Sequence, residues 1–274
     1  MTRTQLISAL NEAGSTEAKN EASVILEEIF GISRASQLCE PLRDYDDAIL
    51  HDIIKRRKER EPLQYILGYA YFCTEKYKLS KNTLIPRQDT ELVVETAAHL
   101  CPTGAHVIDL CTGSGCIAIS LCVKRKDITA KAVDISKECI EITNENAQTA
   151  NVADRVEGIC SDLFSHPCKD ELFDAVISNP PYIQKSVIDT LDDEVLKEPR
   201  IALDGGEDGM DFYRYILKNY KDNLKAKGYF IFEIGYDQKD DIEKEAEKFD
   251  LLCEVICDCQ KNPRVAVIKK HQRI

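Results

Sequence analysis

Tryptophan is absent from this 274-residue sequence, and no apolar run approaches the roughly 20 residues of a membrane span. Positive charge is also in short supply. The 36 Lys and Arg residues against 48 Asp and Glu give a net charge of −12, which disfavours a general grip on a phosphate backbone. Histidine is scarce, and the twelve cysteines form no paired CxxC set, so no tetrahedral zinc site is expected. The opening stretch MTRTQLISALNEAG lacks an apolar h-region and does not read as a secretory signal.

What the sequence does hold is an ordinary globular balance with an unusual number of cysteines. Most lie inside apolar runs, as Cys116 and Cys122 do in GCIAISLC, where a reduced thiol behaves as a small hydrophobe. Cys257 and Cys259 alternate on an expected strand and read as packing rather than as metal ligands. Residues 55–60, KRRKER, concentrate five positive charges on an expected helix, and a solvated face is the default reading.

Residues 1–70 read as short amphipathic helices that pack together. Leu6, Ile7, Leu10 and Ala13 mark the first, and Ile49, Leu50, Ile53 and Ile54 mark a later one. Ser15 is the expected N-cap of the second, with Glu17 in its first turn. Residues 71–84 suggest a hairpin or linker. From 85 to 274 apolar strands alternate with helical stretches, the pattern of βαβ units and a mostly parallel sheet, and the last two strands are too close together for a crossover helix.

The strand HVIDL runs into CTGSG. Gly113 and Gly115 flank Ser114 at a strand-to-helix turn, where missing side chains let a ligand approach the backbone. There is no P-loop lysine, and the glycine spacing alone leaves a dinucleotide open. Asp109, Asp134 and Asp162 fall at the ends of three successive strands. Three carboxylates would repel a pyrophosphate, but they suit a ligand with a sulfonium or ammonium charge, a ribose and an adenine, which is S-adenosyl-L-methionine.

A further strand ends in VISNPPYIQ, where two prolines forbid continuation as a central strand. A carboxamide or adenine NH2 is flat, with two donors in one plane. The side-chain oxygen of Asn179 can accept one and the carbonyl of Pro180 the other, while Pro181 stiffens the loop and Tyr182 covers the flat face.

Together DLCTGSG, AVDIS, SDLF and NPPY resemble class I methyltransferases that act on planar nitrogens. PLQYILG (62–68), LIPRQDTE (84–91), EPRIALDGGEDGMDFY (198–213) and EIGYDQ (233–238) resemble, more narrowly, the bacterial peptide chain release factor N5-glutamine methyltransferases. The resemblance implies an α/β, Rossmann-like class I methyltransferase fold: a mostly parallel seven-stranded sheet with an antiparallel edge strand, preceded by a small helical bundle that recognises the substrate. It implies S-adenosyl-L-methionine held by Asp109, Cys111, Thr112, Gly113, Ser114 and Gly115, with Asp134 and Ile135 at the ribose, Asp162 and Leu163 by the adenine, and Asn179 nearby. The catalytic set it implies is Asn179, Pro180, Pro181 and Tyr182, acting on the glutamine of the glycine-glycine-glutamine loop of class 1 release factors. A monomeric cytoplasmic enzyme with neither a nucleic-acid substrate nor a membrane partner is the matching expectation.

The sequence departs from the family pattern at Glu61, Gln88 and Cys111, and DCQKNPR (258–264) lacks the usual glycine before the final strand. Arg87 and Glu91 are candidates either to line the active-site side or to form structural ion pairs. Glu198, Arg200 and glycines 205, 206 and 209 suggest an ordered loop over the site.

Overall fold

The computed structural model describes residues 1–39, 43–165 and 167–271, which divide into two compact units. One unit comprises Met1–Gly68 together with Asp192–Lys197; the other comprises Tyr69–Leu191 and Glu198–Ile274.

The smaller unit holds helices α1 (Arg3–Glu12), α2 (Ala18–Phe30), α3 (Arg34–Cys39), α4 (Asp47–Lys58) and α5 (Leu63–Leu67). Helix α1 opens with a full capping box, Thr2 with Gln5, and α2 stops at Gly31 in the left-handed conformation. The expected cap of α2 is corrected: the helix begins after Glu17, and Ser15 instead accepts a bond from the Glu17 amide. Leu6, Leu10, Ala22, Ile25, Leu26, Leu50 and Ile53 bury the shared core. None of these short helices would be stable alone, so the apolar stripes hold the unit together.

The basic run on α4 is not a uniformly solvated face. Arg57 is only 3% exposed, pairs with Glu21 and Glu194 at 2.8 Å each, and donates to the Glu61 carbonyl. Its neighbour Arg56 makes a two-bonded pair with Glu61, a second use for that departure from the family pattern.

The larger unit starts with an antiparallel hairpin, β1 (Tyr69–Phe72) and β2 (Glu75–Lys78). Then come α6 (Glu91–Leu100), β3 (His106–Leu110), α7 (Cys116–Lys124), β4 (Thr129–Asp134), α8 (Lys137–Thr149), β5 (Val156–Cys160) and β6 (Phe173–Ser178). The chain continues through α9 (Lys185–Ile188), α10 (Asp211–Tyr220), β7 (Leu224–Glu233), α11 (Lys239–Lys248), β8 (Leu251–Cys257) and β9 (Pro263–Lys270).

Seven of these strands form one sheet in the order β5-β4-β3-β6-β7-β9-β8. The five from β5 to β7 are parallel, while β9 is antiparallel to both its neighbours. The antiparallel strand therefore sits one place in from the edge, and β8 closes the sheet. Both faces are covered, so central strands split their residues between two cores. Val107, Ala175 and Ile177 pack on one side; Ile108, Leu110 and Val176 pack on the other. The order reverses at β3, where β4 lies to one side and β6 to the other. In open α/β sheets, crevices for ligands form at that reversal, beyond the C-terminal ends of the strands.

Candidate active site

A cavity of about 470 Å³ opens at this reversal. Its walls include Cys111, Gly113, Asp134, Ile135, Asp162, Leu163, Asn179 and Pro181, eight of the residues expected from the sequence. Val133, Ser136, Cys139, Ser161, Asn82, Leu84, Ile201, Ala202 and Phe212 complete it.

Asp134, at the end of β4, spans two loops. One carboxylate oxygen accepts from the Gly113 amide at 2.9 Å and the other from the Ser136 amide at 2.9 Å. Burial pushes its pKa up, against the pull of those amides. Gly113 has φ of 58°, and a Cβ there would meet nothing within 4 Å, so the loop presents bare backbone to open space. Gly115 differs: a Cβ there would meet Thr143 at 2.8 Å, so its missing side chain admits α8 rather than a ligand. Cys111 takes φ of 60°, a conformation in which the family's glycine costs less.

Asp162 caps the short 3-10 turn Leu163–Ser165, accepting from the Ser165 amide at 2.6 Å, and still lines the cavity. Ile135 stands 57% exposed in the cavity wall, and Leu163 and Phe212 are further apolar members of it. A polar end at Asp134, apolar walls and an open glycine turn fit an adenosyl group with its ribose and methionyl chain.

Besides Gly115, three expected cofactor residues, Asp109, Thr112 and Ser114, do not line the cavity. Asp109 is fully buried beneath the loop; its Oδ2 accepts from the Thr112 hydroxyl at 2.6 Å and from the Ala118 amide at 3.3 Å. Burial raises its pKa to about 7, with Asp134 adding to the rise. Asp109 and Thr112 thus brace the turn from below, and Ser114 is buried in the same loop, where its carbonyl accepts from Asn146.

The NPPY segment leaves β6 buried at Pro180 and Pro181, with Asn179 and Tyr182 half-buried. Ser178, just before it, donates to the Leu110 carbonyl at 2.6 Å and ties β6 to β3. Asn179 Nδ2 donates to Thr90 Oγ1 at 3.3 Å. The Tyr182 hydroxyl donates to Glu233 Oε1 at 3.2 Å, and Gln238 Nε2 donates to the Tyr182 carbonyl at 3.0 Å. Glu233, at the end of β7, is 1% exposed, and burial holds its pKa above the usual carboxylate range. Burial likewise raises the Tyr182 phenol.

The loop motifs find their reasons here. A Cβ on Gly205 would lie 2.7 Å from Tyr182 Cα, and one on Gly209 would lie 2.4 Å from the Tyr182 carbonyl oxygen. Arg87 pairs with Glu198, which also accepts from the Ile85 amide at 3.0 Å, so this pair latches two loop segments together. Glu91 accepts from the Cys73 amide and anchors the hairpin, and Arg200 pairs with Asp189 on the surface. Sequence reasoning gave no role to Thr90, Glu233 or Gln238. Their presence in the quoted LIPRQDTE and EIGYDQ stretches was the available signal.

The PrmC N-terminal domain matches residues 2–68, and the Methyltransferase small domain matches residues 87–208. A release factor glutamine methyltransferase of Geobacter sulfurreducens is 37% identical over 237 residues, covering 85% of this chain and 82% of the relative. The chain belongs to the release factor glutamine methyltransferase family. One from Clostridium botulinum is 34% identical over 272 residues, covering 96% of this chain and 95% of its own. A methyltransferase structure from Pyrococcus furiosus aligns with a TM-score of 0.54 at 16% identity, covering 70% of this chain and 86% of that one. At that identity it speaks to fold, and the fold is that of a class I methyltransferase. This family member is thus an S-adenosyl-L-methionine-dependent enzyme. Among the described residues no helix is long and apolar enough to cross a membrane, and all twelve cysteines are unpaired.

Proposed function

We propose that this enzyme methylates the side-chain amide nitrogen of the glutamine in the glycine-glycine-glutamine loop of class 1 release factors. The observation that carries this reading is that Asp134 and Asn179 line one and the same cavity.

Bound S-adenosyl-L-methionine supplies an electrophilic methyl on a sulfonium sulfur. Gly113 and Asp134 would hold its methionyl and ribose parts, with Ile135 and Leu163 flanking the adenine. The glutamine amide is a weak nucleophile because its lone pair is shared with the carbonyl. Asn179 Oδ1 and the Pro180 carbonyl accept its two N–H donors and fix its plane, a positioning effect worth several kcal/mol. So held, the amide nitrogen would be the acceptor of the methyl group that the cofactor supplies. Both acceptors stabilise the positive charge that grows on nitrogen, and one N–H proton then leaves to water. Tyr182, tied at its hydroxyl and its carbonyl, closes the flat face.

Residues 1–70 would serve as the substrate-recognising domain, 71–84 as the hairpin linker and 85–274 as the catalytic domain. One glutamine in a short loop offers little specificity, so further contacts with the release factor body are needed. The enzyme would act as a cytoplasmic monomer, where its substrate works, and without a nucleic-acid substrate.

The test is transfer of labelled methyl from S-adenosyl-L-methionine to a purified release factor, with the loop glutamine replaced by alanine as control. Label on wild-type substrate alone is expected; label in adenine of DNA or RNA instead would overturn the assignment.

A further inference from the structure

Gln238 sits in the turn between β7 and α11 and is only 6% exposed. A primary amide has two N–H donors and one carbonyl acceptor, and burial makes each of them costly to leave unpaired. Here both ends are used. Oε1 accepts from the Gly235 amide at 2.9 Å, and Nε2 donates to the Tyr182 carbonyl at 3.0 Å and to the Gly209 carbonyl at 3.2 Å. One backbone donor and two backbone acceptors admit this orientation of the amide and exclude the flipped one. The two carbonyls belong to segments that pair with each other, since the Ile183 amide donates to Leu203 and the Gly205 amide donates to Ile183. Gln238 thus bonds both sides of that pairing.

We propose that Gln238 is a positioning residue for methyl transfer: its amide fixes the Tyr182 carbonyl and so holds the exit of the NPPY segment where Asn179 and Pro180 can receive the substrate amide. The proposal rests on the reading that NPPY receives the glutamine amide. Pro180 and Pro181 have no N–H, so the middle of the segment cannot be tied down through its own amides. Its place is set from the two ends. On entry, Ser178 bonds the Leu110 carbonyl and anchors the segment to β3. On exit, Gln238 bonds the Tyr182 carbonyl from a turn 56 positions away. The carbonyl of Pro180 and the side chain of Asn179 lie between these ties, and an error of about 1 Å at either end passes into the pocket. A fully paired buried amide is suited to this work because it rigidifies the three segments it joins.

The experiment compares wild type, Gln238→Ala and Gln238→Glu at pH 6 and pH 8.5. Calorimetry gives cofactor Kd and the number of cofactor sites, and kcat on a release factor is expressed per site, so that misfolded protein does not count. Gln238→Ala should lower kcat per site about 10- to 100-fold with cofactor Kd within about 2-fold. Gln238→Glu keeps the shape and adds a readout that packing alone would not move. Its protonated carboxyl can still accept from Gly235 and donate its single O–H to Tyr182, whereas the ionised form sets a bare oxygen against two carbonyls. At pH 6 the glutamate variant should therefore exceed the alanine variant at least about 5-fold, and that advantage should shrink at pH 8.5. Glu233, Tyr182, Asp208, Asp211 and Asp237, the ionisable groups on the surrounding segments, are common to all three proteins and cancel in the ratios. If alanine does not fold here, Gln238→Met keeps the volume without the polar atoms and is read the same way. Wild-type kcat per site in the alanine variant, a glutamate variant no better than alanine at pH 6, or cofactor affinity falling in step with kcat would each overturn the proposal. A wild-type enzyme that leaves the release factor unlabelled sinks the underlying assignment and the proposal with it.

Discussion

The carbonyl oxygen of Tyr182 sits 2.4 Å from where a Cβ on Gly209 would lie, so the absence of one methyl group sets the path of the NPPY segment. Gly209 also has φ of 74°, and Gln238 Nε2 fills the remaining space between the two by bonding both carbonyls. Alanine at 209 must therefore displace Tyr182, Gln238 or both. Gly209→Ala should destabilise the fold by about 2–4 kcal/mol and cut kcat at least 100-fold. Gly104→Ala is the control: φ is 70° there but nothing lies within 4 Å, so only strain of about 1–2 kcal/mol applies and kcat holds. Equal kcat in the two variants would show that the close approach does not matter.

Asp134 joins the Gly113 loop to the turn after β4 with one carboxylate. Asparagine can keep only one of those acceptors, and it loses the charge that would strengthen bonds to the ribose hydroxyls in the proposed binding mode. Asp134→Asn should raise cofactor Kd about 10- to 100-fold, the equivalent of one or two charge-assisted hydrogen bonds. At saturating cofactor kcat should fall far less. Calorimetry and steady-state kinetics on one preparation check both, and a kcat loss that saturation does not repair would place Asp134 in the chemical step.

The residues that meet at the cavity beside β3 and β4 were legible because they are local. DLCTGSG and AVDIS each carry strand end, turn and helix start within a few residues, so the chemistry can be read along the chain. The sheet pattern was equally plain, since Val107 and Ile108 alternate between two buried faces. Asp109 shows the limit. A carboxylate at a strand end suits either the ligand or the loop beneath it, and only the pleat, which turns Asp109 toward Ala118, decides. Thr90 and Asn179 are 89 positions apart, and Tyr182 and Glu233 are 51 apart. No local pattern marks such pairs. The glycines at 205 and 209 suggested an ordered loop over the site, and their use in it is to admit the Tyr182 backbone.

Buried under the loop, Asp109 holds a proton up to about pH 7 in the folded protein, whereas an ordinary Asp releases it near 3.8. Between those values the folded state binds more protons than the unfolded one, so this group's contribution to stability is lost as pH rises from about 4 to 7. Asp109→Asn removes that titration. Its amide cannot ionise, and the unpartnered Oδ1 position becomes an unpartnered amide at a cost that does not change with pH. Urea unfolding at pH 5 and pH 7.5 should show wild type losing on the order of 1–3 kcal/mol more than the variant over that interval. Asp134 and Glu233, shifted the same way, are common to both proteins and cancel. Parallel pH profiles would mean that Asp109 is ionised throughout.

Arg56 and Arg57 are neighbours in one basic run with opposite fates. Arg56 is 31% exposed and, among the described residues, pairs with Glu61, whereas Arg57, at 3%, ties α4 to Glu21 of α2 and to Glu194 of the segment 192–197. A pair whose arginine keeps about a third of its surface in water contributes less, because that charge is still partly solvated. Breaking a buried one strands Glu21, 15% exposed, without its partner. Arg57→Met should therefore cost about 2–4 kcal/mol, and Arg56→Met less than about 1 kcal/mol. Hydrogen exchange should localise the loss to residues 1–68 and 192–197 while cofactor Kd, set in the other unit, stays constant. If those segments also supply the release factor contacts proposed above, KM for the release factor should rise in Arg57→Met and not in Arg56→Met. An unchanged KM alongside faster exchange would detach the bundle from substrate recognition and leave it a structural role.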